Sequence, residues 1–354
     1  MKVPLEKIIK DLSREVQEHL AAIMKAAEET KTDIYLVGGP LRDLLLHRNT
    51  IDIDIVVRED GLKFAAFLAG RTGGILTLHK ERLTASIVMP GNLHIDIATM
   101  RTETYDRPGA LPRVQPASDI VQDLARRDFT INAMAVRLNT ASKQEEIIDP
   151  FKGYADLGSS VIRFLHVKSF VDDPTRIFRA IRFETRFGFT IEEQTLKYLK
   201  TALSGSALKT ISGQRCIKEI NLYLAEENPF TVIKRAYELG SMSTVIPDAG
   251  VLEEIEDIFG KIENEQRVDR GNKRVLMLTA LFLHHTPNEI TNLSSYFGMT
   301  KKQRSAIIDT KLLLNLLKES PAMLDSVIKR YSDHARMLAY LITSNKSLLP
   351  HLQA

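Results

Sequence analysis

The pattern of apolar and polar positions changes character part-way along the chain. Over roughly the first 160 residues the apolar positions form short β-rich runs, at residues 34–37, 51–57, 84–89, 93–99 and 131–138. Gly-Gly, Pro and Asp-Gly punctuate them, and residues 40–46 and 60–68 between them read as helices. Nearer the start, Leu5, Ile8, Ile9 and Leu12 mark one face of an amphipathic helix. From Pro174 onward the period becomes that of a helix. Helices are predicted over residues 174–187, 192–203, 213–225, 229–239, 251–262, 275–284, 301–317 and 320–341.

The fold class that follows is α+β: an N-terminal head with a small mixed β-sheet, then an all-helical remainder. No repeat of fixed period and no low-complexity linker is visible, so residues 155–172 read as a packed neck rather than a tether. A length of 354 residues, against about 150 per domain, agrees with two to three domains.

Composition narrows the class. Hydrophobic residues make up 44% and charged residues 26%, which supplies a core for each domain and excludes a disordered chain or a coiled coil. The longest apolar run, residues 275–283, is interrupted by Thr279 and falls far short of the roughly 20 residues of a membrane span. Residues 1–31 lack the apolar core of a secretion signal. The lone cysteine, Cys216, forms neither an internal disulfide nor a cysteine-based zinc site, so a cytoplasmic location is expected, with Cys216 as core filler. A net charge of +3 permits an anionic partner without demanding one, and the absence of Trp argues against RNA recognition dominated by base stacking.

The sharpest chemical signal is Ile51-Asp52-Ile53-Asp54-Ile55. On a strand the two carboxylates point one way and the isoleucines the other. Close carboxylates repel and raise each other's pKa, which a shared hard cation such as Mg²⁺ relieves. A bare Asp-x-Asp also fits the wet face of an ordinary strand. Upstream, Gly38-Gly39 stands between a strand and a helix, where backbone N–H groups can approach a phosphate; a plain tight turn reads the same way. The pair lacks both the dinucleotide-binding and the P-loop glycine patterns. Asp96, in the run His94-Ile95-Asp96-Ile97, offers a third carboxylate or an edge-strand Asp.

Taken in order, Gly38-Gly39-Pro40-Leu41-Arg42-Asp43, Asp52-Ile53-Asp54, Arg126-Arg127-Asp128-Phe129-Thr130-Ile131-Asn132-Ala133 and Asp172-Asp173-Pro174-Thr175-Arg176-Ile177-Phe178-Arg179-Ala180-Ile181-Arg182-Phe183 resemble the class II CCA-adding enzyme and bacterial poly(A) polymerase family. The match covers roughly residues 30–240. The resemblance implies a nucleotidyltransferase head followed by helical neck, body and tail, here divided at residues 1–155, 156–228 and 229–354. It implies two Mg²⁺ ions on Asp52 and Asp54, and extension of the 3′ end of tRNA from ATP or CTP without a nucleic-acid template. No membrane and no obligate protein partner are expected. The departures are Pro40 and Leu41 for a small residue and Val, His47 where Gly is common, and Asp172 for the usual Glu.

The expected roles then divide as follows. Asp52, Asp54 and Asp96 are the catalytic candidates. Gly38, Gly39 and Arg42 join Arg126, Asp128 and Asn132 as nucleotide-binding candidates, since guanidinium groups suit a triphosphate and Asn132 a sugar hydroxyl. Asp173 and Arg176, one helical turn apart, present an acceptor beside a donor fork. Cytosine and adenine both offer an amino donor next to a ring-nitrogen acceptor, whereas uracil and guanine put a carbonyl at that place, so such a pair selects C and A. The alternatives are an N-cap for Asp173 and a surface ion pair for Arg176. Arg179, Arg182 and Arg186 extend the basic stripe, with Arg186 and the distal Lys301, Lys302 and Arg304 as candidates for the RNA backbone. Arg215 and Glu219 read as an i, i+4 pair.

Residues 101–122 occupy the place of a loop that the family associates with A addition, and the loop is not obviously deleted here. His284-His285 and Asp333-His334 are isolated and read as core or surface histidines rather than a phosphohydrolase site. Two other functions stay open at this point. One is a poly(A) polymerase, against which stands Arg58-Glu59-Asp60-Gly61 where that branch carries a basic signature. The other is a catalytically silent RNA-binding protein, against which stand Asp52 and Asp54.

Overall fold

The computed structural model describes residues 2–3, 9, 12–48, 52–138, 145–247, 250–319 and 324–351. The chain divides into two compact units, Met1–Asp172 with Phe189–Tyr198, and Asp173–Gly188 with Leu199–Ala354.

The first unit is built on a six-stranded sheet with spatial order Ile75–His79, Thr84–Val88, His94–Thr99, Asp52–Val57, Ile34–Val37, Ala135–Arg137. Only the Asp52–Val57 and His94–Thr99 pair is parallel, so the sheet is mixed as expected. On one face Ile53, Ile55, Ile95 and Ile97 are buried, as are Phe64, Ala65 and Leu68 of the Gly61–Thr72 helix. Asp60 starts that helix by accepting from the Leu62 and Lys63 backbone N–H groups. On the other face Tyr35, Val37, Val56, Met100 and Ala135 form a second cluster with Ile120 and Leu124 of the Ile120–Ala125 helix. This arrangement grades one face of a single strand. Asp52 is exposed, Asp54 half-buried and Val56 fully inside.

Several expectations are corrected. Residues 131–138 are not one strand: Thr130–Asn132 is a 3₁₀ turn and the strand is confined to Ala135–Arg137. The Asp128 and Asn132 side chains bond each other and the local backbone there, which competes with a ladder. Leu5, Ile8 and Ile51 lie outside the described residues; the N-terminal helix that is described is Arg14–Thr30, started by Ser13 and buried through Val16, Leu20 and Ile23. The Ile75–His79 strand and the Arg101–Thr104, Arg113–Pro116 hairpin were not foreseen. His47 takes φ +56°, the left-handed region where glycine is at no disadvantage, which gives a physical reason for the glycine common at that position.

The second unit is helical, as the periodicity predicts. The expected helix over 275–284 is instead Arg270–Ala280, because Asp269 accepts from the Gly271 and Asn272 N–H groups and starts it earlier. The expected helix over 320–341 is broken: Leu324–Val327 and a 3₁₀ turn, Ile328–Arg330, precede Asp333–Thr343, and residues 320–323 are outside the description. The Pro287–Phe297 helix was missed, although Thr286 and Glu289 form a reciprocal capping box around an N-terminal proline. Cys216 is buried, as core filler should be. Among the described residues no helix is long and apolar enough to cross a membrane.

Candidate active site

The parallel pairing sets Asp54 directly against Asp96, and Asp52 against His94. Because alternate residues of adjacent strands share a face, the three aspartates lie on one side of the sheet. Ser86, on the next strand, donates to Asp96 Oδ1 at 2.6 Å. Burial drives the Asp54 carboxyl up to about 6, with the negative charges of Asp96 and Asp52 adding to it and Arg127 and Arg42 opposing.

Gly38 faces this carboxylate. It opens the Gly38–Leu45 helix at φ +71°, and a Cβ placed on it would stand 2.9 Å from Arg127 Nη1 and 3.3 Å from Asp54 Oδ2. The missing side chain therefore leaves a notch bounded by a guanidinium, a carboxylate and the start of a helix. Gly39 has an ordinary φ and room for a Cβ, 3.5 Å from Arg42 Nη2.

The two arginines of the Arg126-Arg127-Asp128 motif do different things. Arg126, expected to grip nucleotide, is instead held in a buried ion network: Nε and Nη2 donate to Asp123 at 3.0 and 2.8 Å, Nη1 donates to Glu103 at 2.8 Å, and Nε also reaches the Arg101 carbonyl. Burial makes those charged hydrogen bonds compulsory, since an unpaired guanidinium there would be costly. Arg127, read from sequence as one of the motif's guanidinium groups but not carried among the candidate residues, is the arginine beside Gly38 and Asp54.

Arg42, Asn132 and Asp128 come together as a chain. Arg42 donates through Nη1 to Asn132 Oδ1 at 2.6 Å and through Nε and Nη2 to Asp43 Oδ1; Asn132 Nδ2 donates to Asp128 Oδ1, which also accepts from the Phe129 N–H. All three are buried. The chain ties the Gly38–Leu45 helix to the turn after the Arg-Arg-Asp motif, and so fixes both sides of the notch.

Whether these residues suit a hard cation can be tested on the donors. The pair Asp52 and Asp54 offers only carboxylate oxygen, the donor type Mg²⁺ prefers, on one face of one strand. The pair fits. Asp96 does not complete a cluster with them: among the described residues no group of three or more His, Cys, Asp or Glu side chains is arranged to hold an ion.

In the helical unit the expected pair is placed differently from the sequence reading. Asp173 lies outside the Thr175–Phe187 helix, because the residue before a proline is disfavoured in helical conformation. Its Oδ1 accepts from the Thr175 N–H at 3.1 Å, from Thr175 Oγ1 at 2.7 Å and from Arg215 Nη2 at 2.7 Å. Asp173 thus serves the start of the helix, and one carboxylate oxygen carries three bonds. Arg176 keeps its relation through the backbone, its N–H donating to the Asp173 carbonyl at 3.0 Å. Arg176 and Arg182 are buried rather than on an open stripe, and Arg182 and Arg186 both approach Glu226, at 3.4 and 3.8 Å. Arg179 and Arg182 lie over the Phe183 ring. Arg215 pairs with Asp173, while Glu219, its expected partner, is buried with Oε2 accepting no hydrogen bond among the described residues. Lys301, Lys302 and Arg304 are exposed on the first turn of the Lys301–Glu319 helix, and Lys302 Nζ reaches Asn272 Oδ1 at 3.0 Å. His284 pairs with Glu254 and His285 is buried, in line with the sequence reading.

Residues 34–163 match the poly A polymerase head domain, and residues 188–251 the probable RNA and SrmB-binding site of polymerase A. An A-adding tRNA nucleotidyltransferase of Geobacter sulfurreducens is 44% identical over 237 residues, 67% of this chain. A second, of Halalkalibacterium halodurans, is 39% identical over 228 residues, 63% of this chain. The chain spans 27% and 53% of the lengths of these two relatives. The solved structure of a CCA-adding enzyme with ATP is 31% identical, with a TM-score of 0.78 over 99% of this chain and 85% of that one. The chain belongs to the family of CCA-adding enzymes, A-adding tRNA nucleotidyltransferases and bacterial poly(A) polymerases.

Proposed function

We propose that this protein is a tRNA nucleotidyltransferase, which transfers a nucleotide from ATP or CTP to the 3′ end of tRNA and so makes or repairs the CCA end. The observation that carries the reading is the notch at Gly38, where the Asp54 carboxylate, the Arg127 guanidinium and a helix start converge. Such a notch can place a triphosphate against fixed positive charge and its α-phosphate near paired carboxylates. The A-adding relatives favour A addition among the possible products.

The residues act as follows in this reading. The backbone at Gly38 and Gly39 admits the triphosphate, and Arg127 faces it. The Arg42, Asn132 and Asp128 chain keeps the notch in shape and offers Asn132 near the sugar. Asp52 and Asp54 would hold two Mg²⁺ ions, whose charge, when bound, would favour attack by the 3′-hydroxyl on the α-phosphate and departure of pyrophosphate. Asp96, held by Ser86, supports the carboxylate face. Asp173 and Arg176 select the base, with Arg179 and Arg182 beside them. Arg186, Lys301, Lys302 and Arg304 meet the RNA backbone; the last three stand on the first turn of a helix, where basic side chains oppose its dipole, and an RNA phosphate relieves that conflict. The head spans residues 1–155, the neck 156–228 and the body and tail 229–354, and the protein works in the cytoplasm.

The test is extension of three tRNA transcripts, ending before CCA, after the first C and after CC, with ATP, CTP or both, resolved at single-nucleotide length. Growth ending at CCA supports the full activity; extension of the CC-ended tRNA alone, with ATP, supports A addition. Long A tails on any RNA would identify a poly(A) polymerase, and no extension would overturn the reading.

A further inference from the structure

Outside the residues assigned above, the described residues of the head include a fully buried carboxylate with four donors on it. Asp123, on the Ile120–Ala125 helix, has no exposed surface. Its two oxygens divide the work. Oδ1 accepts from Arg126 Nε and Nη2 and from the Arg101 backbone N–H at 3.2 Å, whereas Oδ2 accepts from Arg127 Nη2 at 3.0 Å.

Arg127 is therefore gripped from behind. Its Nη2 is on Asp123, while Nη1 lies 3.5 Å from the Asn132 carbonyl and borders the Gly38 notch. A planar guanidinium held at two nitrogens loses most of its freedom to swing. Its Nη1 is the nitrogen that borders the notch, 2.9 Å from where a Gly38 Cβ would stand. Arg126, by contrast, spends its donors on Asp123, Glu103 and a carbonyl. One carboxylate thus separates two adjacent arginines into an anchor and a presented cation.

We propose that Asp123 is a positioning residue for nucleotide binding, which aims Arg127 at the Gly38 notch and holds Arg126 away from it. The inference rests on the nucleotide-binding reading of this site. It acts through Arg127, so its effect must vanish when Arg127 is gone. A carboxylate that only stabilised the fold would lower the melting temperature without that dependence.

The experiment is a double-mutant cycle on ATP binding by the full chain, measured at equilibrium without RNA, with melting temperature recorded alongside. Asp123→Asn and Arg127→Gln should each weaken ATP binding about tenfold, and the double variant should match Arg127→Gln within about twofold. Should Asp123→Asn fail to fold, Asp123→Glu keeps the charge and displaces it by one methylene. It should weaken binding about threefold or more in the native background and leave the Arg127→Gln background unchanged. In steady state the Asp123 variants should raise KM for ATP more than they lower kcat. Independent, multiplying losses, or native ATP affinity in Asp123→Asn, overturn the inference. A native chain that binds ATP without extending tRNA sinks the parent reading alone, and one that binds no ATP sinks both.

Discussion

Asp54 and Asp96 stand opposite one another in register on adjacent parallel strands, and Asp54 is the one that burial and its neighbours keep protonated up to about pH 6. The asymmetry follows from where each sits. Val56, two residues on from Asp54, is already core, whereas Asp96 is exposed and bonded by Ser86. The two carboxylates should therefore differ in importance. Asp54→Asn or Asp52→Asn should lower tRNA extension by about a thousandfold or more with RNA affinity retained, and Asp96→Asn by about tenfold. Single-turnover extension and filter binding on the same preparations check this.

The same carboxyl makes stability depend on pH and cation together. Its pKa is raised on folding from 3.8 to about 6, so the folded head retains a proton that the unfolded chain has released. That contribution to stability is full below pH 3.8 and is lost as the pH rises through about 6. A divalent cation binds the ionised form, so it should restore stability above that range and do little below it. Melting in chelator and in millimolar Mg²⁺ should give equal midpoints near about pH 5 and a stabilisation of about 1 kcal/mol or more near about pH 7.5. Asp52→Asn/Asp54→Asn should abolish the difference.

Glycine at the notch is required twice over, by conformation and by space. Gly38→Ala puts a side chain at φ +71° and a Cβ within 2.9 Å of Arg127 Nη1, so it should cost about 1–3 kcal/mol and weaken ATP binding. Gly39→Ala meets only an ordinary contact at 3.5 Å and should keep both properties. Thermal melting and ATP titration of the two variants make the comparison.

Asp173 is occupied at the start of a helix, and the structure makes two consequences of its loss measurable. Asp173→Ala should destabilise the helical unit by about 1 kcal/mol, as loss of a helix-start acceptor does, and should release Arg215. If it also reads the base, the ratio of kcat/KM for ATP and CTP over UTP and GTP should fall, whereas equal loss on all four nucleotides would leave it a structural residue.

The strands and helices were legible where periodicity was long and the ends were chemically marked. The Asp52–Val57 strand, its alternation, and the Thr175–Phe187, Pro229–Glu238 and Lys301–Glu319 helices could be read directly. The Pro287–Phe297 helix was readable from Thr286, Pro287 and Glu289 and was overlooked. The turn at Thr130–Asn132 was not readable as such, because an apolar run looks like a strand until the Asp128 and Asn132 side chains are seen to bond one another.

Sequence by itself determined the class of the fold and the family and singled out the Asp52 and Asp54 pair, because these depend on residue types at fixed short spacings. Alternation alone puts Asp52 and Asp54 on one face. Tertiary structure alone decided which of two adjacent arginines faces the notch, that Asp96 falls in register with Asp54, and that Asp173 carries Arg215. Those outcomes rest on contacts between segments far apart in the chain. Asp123 and Arg127 differ by four positions, but what their bond accomplishes is set by Gly38, some ninety residues away, where a missing Cβ leaves room for a guanidinium.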